Sequence, residues 1–118
     1  MTDLFAPLTL RGLTMRNRIG ISPMCQYVSD DGFASDWHLV HLASRAVGGA
    51  GLVIAEASGV EARGRITPGC LGIWKDDHIE KLAQITAAIR ANGAASCMQI
   101  AHAGRKSNAT VPWQGDRT

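Results

Sequence analysis

The stretch Leu52-Val53-Ile54-Ala55-Glu56 decides the fold class of this chain. Its first four residues are aliphatic, and apolar and polar side chains do not alternate along them. A strand covered on both faces of a parallel sheet has this pattern, whereas a strand with one wet face alternates. The stretch therefore predicts a parallel strand in the middle of an α/β fold, with polar groups following at its carboxyl end.

Two further strands and two helices surround this central strand. Residues 18–21 and residues 95–100 are short apolar runs typical of strands. The first helix is predicted from Ser35 or Asp36 to about Val47, and the second from Asp76 or Asp77 to about Ala91. Gly48-Gly49 ends the first and Asn92-Gly93 the second. The predicted buried residues are Trp37, Val40, His41, Ala43 and Ala46 in the first helix and Ile79, Leu82, Ile85 and Ile89 in the second.

These elements predict the N-terminal part of a (β/α)8 barrel. Residues 1–17 are expected to form a hairpin lid around Arg11-Gly12-Leu13, residues 18–105 a β-α-β-α-β unit, and residues 106–118 a loop. Such a barrel usually needs about 250 residues, so 118 residues supply about three strands and require a complementary segment to close. A doubly wound sheet competes, but its GxGxxG fingerprint is absent after the first strand.

Composition limits the possible partners. With 46% hydrophobic residues and a net charge of +2, the chain favours neither nucleic acid nor a membrane surface. No apolar run or leader pattern predicts a membrane span or a signal peptide, so we expect a cytoplasmic protein. Cys25, Cys70 and Cys97 form no CxxC pair, so neither a disulfide framework nor a metal site is expected. Cys97 is predicted to be a small buried residue of its strand.

Candidate site residues follow the predicted strands at their carboxyl ends, where α/β folds bind ligands. Ser22-Pro23-Met24-Cys25-Gln26-Tyr27 presents a thiol and a phenol two residues apart, although a buried inert cysteine and a core tyrosine are the alternatives. Gln99 is a polar residue in an apolar strand, and burying it unpaired costs about 1–3 kcal/mol.

Other polar residues carry weaker predictions. His38 and His41 are three residues apart, as metal ligands sometimes are, but they are expected to pack or to cap their helix. Glu56 is expected to pair with an arginine rather than to act as a general base. For His102 and Arg105, ligand contact and anchoring of the rim remain equally open.

Separated motifs in one order resemble the Old Yellow Enzyme family. They are Leu4-Phe5, Asn17-Arg18, SPMCQY at 22–27, EASGV at 56–60, GRITPG at 64–69, GIW at 72–74 and QIAHAGRK at 99–106. The chain looks most like the bacterial ene-reductase branch with a cysteine near the flavin, such as xenobiotic reductase A.

This resemblance implies an FMN-dependent ene-reductase that uses NADPH or NADH to reduce α,β-unsaturated carbonyl compounds. It implies that Cys25 adjusts the flavin potential and that Tyr27 reaches the substrate carbonyl. Gln99 suits the pyrimidine edge of the flavin, whose donors and acceptors alternate. The residues expected against FMN are Ser22, Pro23, Met24, Cys25, Ala57 and Gln99.

The resemblance also implies that the remaining barrel strands complete the site. We expect a complementary polypeptide to carry them, the chain alone to be inactive, and the assembled enzyme to be a homo-oligomer. Two alternatives stay open. One is a related flavin barrel such as dienoyl-CoA reductase, against which Cys25 and Tyr27 together argue, and the other is a non-catalytic assembly fragment.

Overall fold

The computed structural model describes residues 3–115. A short antiparallel hairpin comes first, formed by β1 (Leu8–Leu10) and β2 (Leu13–Met15). Arg11 turns the chain between them with φ +52°. A parallel sheet follows in the order β3-β4-β5, built from β3 (Gly20–Ile21), β4 (Leu52–Gly59) and β5 (Ala95–Ala101).

Two helices connect the parallel strands. Helix α1 (Asp36–Val47) lies between β3 and β4, and helix α2 (Ile79–Ala91) lies between β4 and β5. Ser35 is the N-cap of α1, and the turn Asp76–His78 leads into α2. Gly93, with φ +86°, follows the C-cap of α2 in the left-handed conformation that glycine favours.

The core lies between the helices and one face of the sheet. Val53 is completely buried, and its strand neighbour Ala55 is 6% exposed. Burial of such aliphatic groups is the main favourable term in folding. The buried cluster consists of Leu42, Ala46, Ala50, Val53, Ala55, Ile85, Ile89 and Ala94.

The predicted buried face of α1 was partly wrong. His41 and Ala46 are buried, but Trp37 and Val40 are 50% and 57% exposed, and His38 and Leu42 are buried in their place. The helix is rotated toward β4 because His38 packs against the carboxyl end of that strand. In α2, Ile85 and Ile89 are buried, whereas Ile79 at its first turn is 56% exposed.

The strands also differ from their predicted extents. β3 contains only Gly20–Ile21, whereas β4 continues to Gly59. Cys97 is exposed, so its predicted burial was wrong. Met98 packs against the core on the helix side, and because neighbouring strand residues alternate, Cys97 faces away from the helices.

Arg16 fastens the hairpin to the end of α1. Its Nη2 donates to the carbonyl oxygens of Ala46 at 2.6 Å and Ala50 at 2.9 Å, and its Nε also donates to Ala50 at 3.2 Å. The last carbonyls of a helix have no partner within it, and a cation near them is favourable. Arg16 therefore stabilises the turn that leads from α1 into β4.

Among residues 3–115, no helix is both long and apolar enough to cross a bilayer.

We expect Arg16→Met to lower the free energy of unfolding of the chain by about 1–3 kcal/mol, because it leaves these carbonyls without their charged donor. Urea denaturation monitored by circular dichroism measures the change. Arg105→Met, at an exposed position, is the control and is expected to change stability by less than about 0.5 kcal/mol. Equal stability of both variants would show that Arg16 is not a structural anchor.

Candidate active site

The predicted site residues lie along the carboxyl ends of the three parallel strands. Ser22 follows β3 directly and is exposed, and the loop then continues to the half-buried Cys25 and Tyr27. Ala57 is buried in β4, at a shift of the β4–β5 register between Ala55 and Ser58. Irregularities of this kind are common beside active sites, where they redirect side chains.

The structure brings some of these residues together. Ala57 of β4 lies beside the Cys25 thiol, and its backbone acts to lower the pKa of that thiol, whereas Cys25 contributes to the raised pKa of Tyr27. Gln99 is exposed on β5, and its side chain is accessible to a ligand. Pro23 is half-buried, and Met24 is 44% exposed. These residues therefore lie on the loop after β3 and on the neighbouring strands β4 and β5.

A second thiol accompanies Cys25, which the sequence did not indicate. Cys70 is buried, and its Sγ accepts a hydrogen bond from the backbone N–H of Thr67 at 3.3 Å. A hydrogen bond from Cys25 to Cys70, followed by the Thr67 contacts, lowers the pKa of Cys70 to about 6. The same hydrogen bond raises the pKa of Cys25 above its ordinary value, and burial and the charge of Glu56 add to that rise. Cys25 is thus held as a neutral thiol.

Tyr27 adopts an unusual backbone conformation with φ +55°. Non-glycine residues rarely occupy this region, and where they do the surrounding structure enforces it. Gly69 lies against it, since a Cβ atom at position 69 would stand 2.5 Å from the Tyr27 carbonyl oxygen. The backbone N–H of Ser29 donates to the Gly69 carbonyl at 2.9 Å. The Thr67-to-Cys70 segment therefore sets the direction of Tyr27.

The tyrosine ring is also packed from the other side. Trp113 meets it edge to face, with ring centroids 6.3 Å apart. Burial raises the pKa of Tyr27, and the neighbouring Cys25 and Cys70 add to the effect. The phenol therefore keeps its proton and can donate a hydrogen bond to a ligand oxygen.

Within residues 3–115 the charged partner of Glu56 is a histidine, so the predicted pairing with an arginine was wrong. Its carboxylate is 3% exposed, and Oε1 lies 3.1 Å from Nε2 of His38. Its Oε2 accepts the backbone N–H of Gln26 at 3.3 Å. The prediction failed because no local pattern reveals that α1 turns a histidine toward the end of β4.

The remaining histidines have structural contacts. His38 caps α1 as predicted, since its Nδ1 accepts the backbone N–H of Ser35 at 2.9 Å. His41 stacks on Trp37, and burial lowers the pKa of His41. His102 lies 2.5 Å from Glu61, a contact that agrees with anchoring of the rim, and its side chain is also exposed. Arg105 is exposed in the turn Gly104–Lys106.

Comparisons with known proteins agree with this geometry. A protein-family model described as the NADH:flavin oxidoreductase / NADH oxidase family matches residues 3–115. An NADPH dehydrogenase of Geobacillus thermodenitrificans is 52% identical over 108 residues, covering 90% of this chain and 32% of that protein. Morphinone reductase in complex with tetrahydroNAD matches with a TM-score of 0.83 and 29% identity, covering 91% of this chain and 29% of the other. The old yellow enzyme from Trypanosoma cruzi matches with a TM-score of 0.81 and 32% identity, covering 88% and 28%.

Fold and site together define a segment of a flavin-oxidoreductase barrel, and the predicted fold class is confirmed. The chain belongs to the NADH:flavin oxidoreductase / NADH oxidase family, and its structural neighbours support the predicted Old Yellow Enzyme relationship. It spans about a third of the length of the curated relative described above.

We expect Gly69→Ala to destabilise the chain by about 1–3 kcal/mol, because the added methyl group would overlap the Tyr27 carbonyl. Urea denaturation monitored by circular dichroism measures the loss. Gly12→Ala is the matched control, since a Cβ there meets no atom within 4 Å. Equal stability of the two variants would contradict the close approach at Gly69.

We expect Cys25→Ala to raise the pKa of Cys70 from about 6 toward its ordinary value, because the alanine removes the hydrogen-bond donor. Ultraviolet titration of the thiolate in a Cys97→Ser background measures this value. In the parent the first thiolate should appear as the pH rises through about 6, and in Cys25→Ala only at higher pH. An unchanged titration would show that the two thiols do not share a proton.

Proposed function

We propose that this chain forms one wall of the FMN and substrate site of an NAD(P)H-dependent ene-reductase acting on α,β-unsaturated carbonyl compounds. The observation that carries the proposal is the loop from Ser22 to Tyr27, which follows β3 and is held at the carboxyl end of β4 by the hydrogen bond from the Gln26 backbone to Glu56. Parallel barrels bind ligands at this end. Family membership supports a flavin, and the nicotinamide analogue in morphinone reductase supports a nicotinamide reductant.

The chemistry of the surface suits FMN. Gln99 offers an accessible amide donor and acceptor for the pyrimidine edge, and Met24 offers an exposed apolar side chain to a flat ring. Ser22, Pro23, Cys25 and Ala57 complete the proposed contacts. Bound FMN would supply hydride transfer between NADPH or NADH and the activated carbon–carbon double bond.

The chain's own residues then position the substrate and the thiol. Tyr27 keeps its proton and donates a hydrogen bond toward the substrate oxygen. Cys25 stays neutral beside the ring, so it adds no negative charge that would oppose reduction of the flavin. The presence of Cys25 supports placing the chain in the xenobiotic reductase A-like branch.

The same proposal extends to the assembly and the cellular location of the enzyme. A complementary polypeptide supplies the remaining strands, which accords with the small fraction of each relative that the chain covers. We propose that the assembled enzyme is a cytoplasmic homo-oligomer, and the unpaired thiols fit a reducing compartment.

Co-expression with the remaining two-thirds of the Geobacillus thermodenitrificans relative tests the proposal. We expect a yellow complex on gel filtration whose oxidation of NADPH under anaerobic conditions depends on 2-cyclohexenone, and no such activity from either part alone. Gln99→Leu should weaken FMN binding about tenfold, because it removes the polar contacts to the ring. Fluorescence titration of released flavin measures this change.

Cys97→Ser is the matched control, since Cys97 lies two positions before Gln99 on the same strand and is also exposed. It should leave FMN binding unchanged. A colourless complex, or equal loss of flavin from both variants, would reject the proposed site.

A further inference from the structure

A buried histidine and a buried carboxylate stand directly behind the Cys25 loop. His38 is 1% exposed and Glu56 is 3% exposed, and their facing atoms Nε2 and Oε1 are 3.1 Å apart. Buried charged groups are rare unless they are paired, because desolvation costs several kcal/mol. The positions of Cys25 and Tyr27 do not by themselves require a buried carboxylate behind the loop from Ser22 to Tyr27.

The hydrogen bonds of His38 fix its tautomer. Nδ1 accepts the backbone N–H of Ser35 at 2.9 Å and lies 3.1 Å from the Ser35 hydroxyl. A nitrogen that accepts a backbone N–H carries no proton, so the ring proton of the neutral imidazole is on Nε2. That N–H faces Glu56, although it is not aligned well enough with Oε1 for a full hydrogen bond. The contact is thus mainly electrostatic.

The other carboxylate oxygen reaches the loop. Oε2 of Glu56 accepts the backbone N–H of Gln26 at 3.3 Å, and Gln26 lies between Cys25 and Tyr27 in the chain. The Gln26 side chain is fixed as well, since its Oε1 accepts Trp37 Nε1–H and its Nε2 donates to the Met24 carbonyl, both at 2.9 Å. A continuous series of contacts therefore runs from the start of α1 through His38 and Glu56 to the loop.

We propose that His38 and Glu56 are positioning residues for Cys25: the histidine orients the carboxylate, and the carboxylate tethers the backbone of the loop that carries the thiol. The importance of this pair for flavin reduction rests on the proposed function, but its effect on Cys25 does not. The titratable groups that face Cys25 are Glu56 from β4, Cys70 from the loop after β4, and Tyr27 from its own loop.

The sign of the electrostatic effect follows from like charges. A carboxylate beside a thiol disfavours the thiolate, so the charge of Glu56 raises the pKa of Cys25. Replacing Glu56 by glutamine removes this charge while keeping an acceptor for Gln26. The thiolate of Cys25 then forms at lower pH, and alkylation, which needs the thiolate, becomes faster at a fixed pH.

Site-resolved alkylation of the 118-residue chain tests the proposal without any flavin. Iodoacetamide is added over a range of pH, and peptide mass spectrometry follows Cys25, with the exposed Cys97 as the internal reference. For Glu56→Gln we expect the rate of Cys25 alkylation at pH near 8 to rise about three- to tenfold relative to Cys97, because a larger fraction of the thiol is ionised at that pH. A Cys25 rate that stays unchanged relative to Cys97 would overturn the charge effect.

Two histidine variants test the positioning role. In His38→Gln the amide nitrogen replaces Nε2 and still faces Glu56, whereas in His38→Asn the side chain replaces Nδ1 and keeps only the cap on Ser35. We expect the glutamine variant to retain the Cys25 profile of the parent and the asparagine variant to alkylate Cys25 at least about threefold faster. Identical profiles for the two variants would overturn the proposal.

Circular dichroism separates these effects from unfolding. If Glu56→Gln does not fold, the pair of histidine variants decides the question, because each keeps one of the two contacts of His38. These outcomes are also independent of the proposed function. If the chain shows the expected Cys25 profiles but binds no FMN together with its complement, the positioning role of His38 and Glu56 stands and the proposed ene-reductase function is rejected.

Discussion

The buried carboxylate of Glu56 is the constraint on which the rest of the site depends. It lies at the end of β4, where the register with β5 shifts, and it accepts the backbone of the loop that leaves β3. Removing it from water is unfavourable unless polar partners surround it. The first turn of α1 provides one partner and the Cys25 loop provides the other, so sheet, helix and loop are held together by one side chain.

Much of the architecture is encoded locally and could be predicted. The aliphatic run in β4 indicates a parallel strand, and Asn92-Gly93 marks the end of α2. The rotation of α1 could not be predicted, because tertiary packing selects His38 rather than Trp37 for burial. The hydrophobic periodicity of α1 places Trp37 on the buried face of the helix. It contains no information about the carboxylate of Glu56, which lies on a later strand.

The residues of the candidate site could also be predicted only in part. Cys25 and Tyr27 are visible because a thiol and a phenol lie close together in the chain at the end of a strand. Cys70 was missed because its pairing with Cys25 depends on two loops that meet only in the fold. The turn from Thr67 to Cys70 contained a signal, since Thr67 supplies a donor to the sulfur and Gly69 permits a close approach.

The positive φ of Tyr27 links two distant positions in the evolution of this surface. The backbone conformation of Tyr27, rather than a side-chain rotamer, sets the direction of the phenol. This conformation is possible because residue 69 is a glycine and has no side chain. A lineage that gains a side chain at position 69 must also redirect position 27. The range of molecules accepted by the proposed site would then change through paired substitutions, one of which lies outside the proposed ligand contacts.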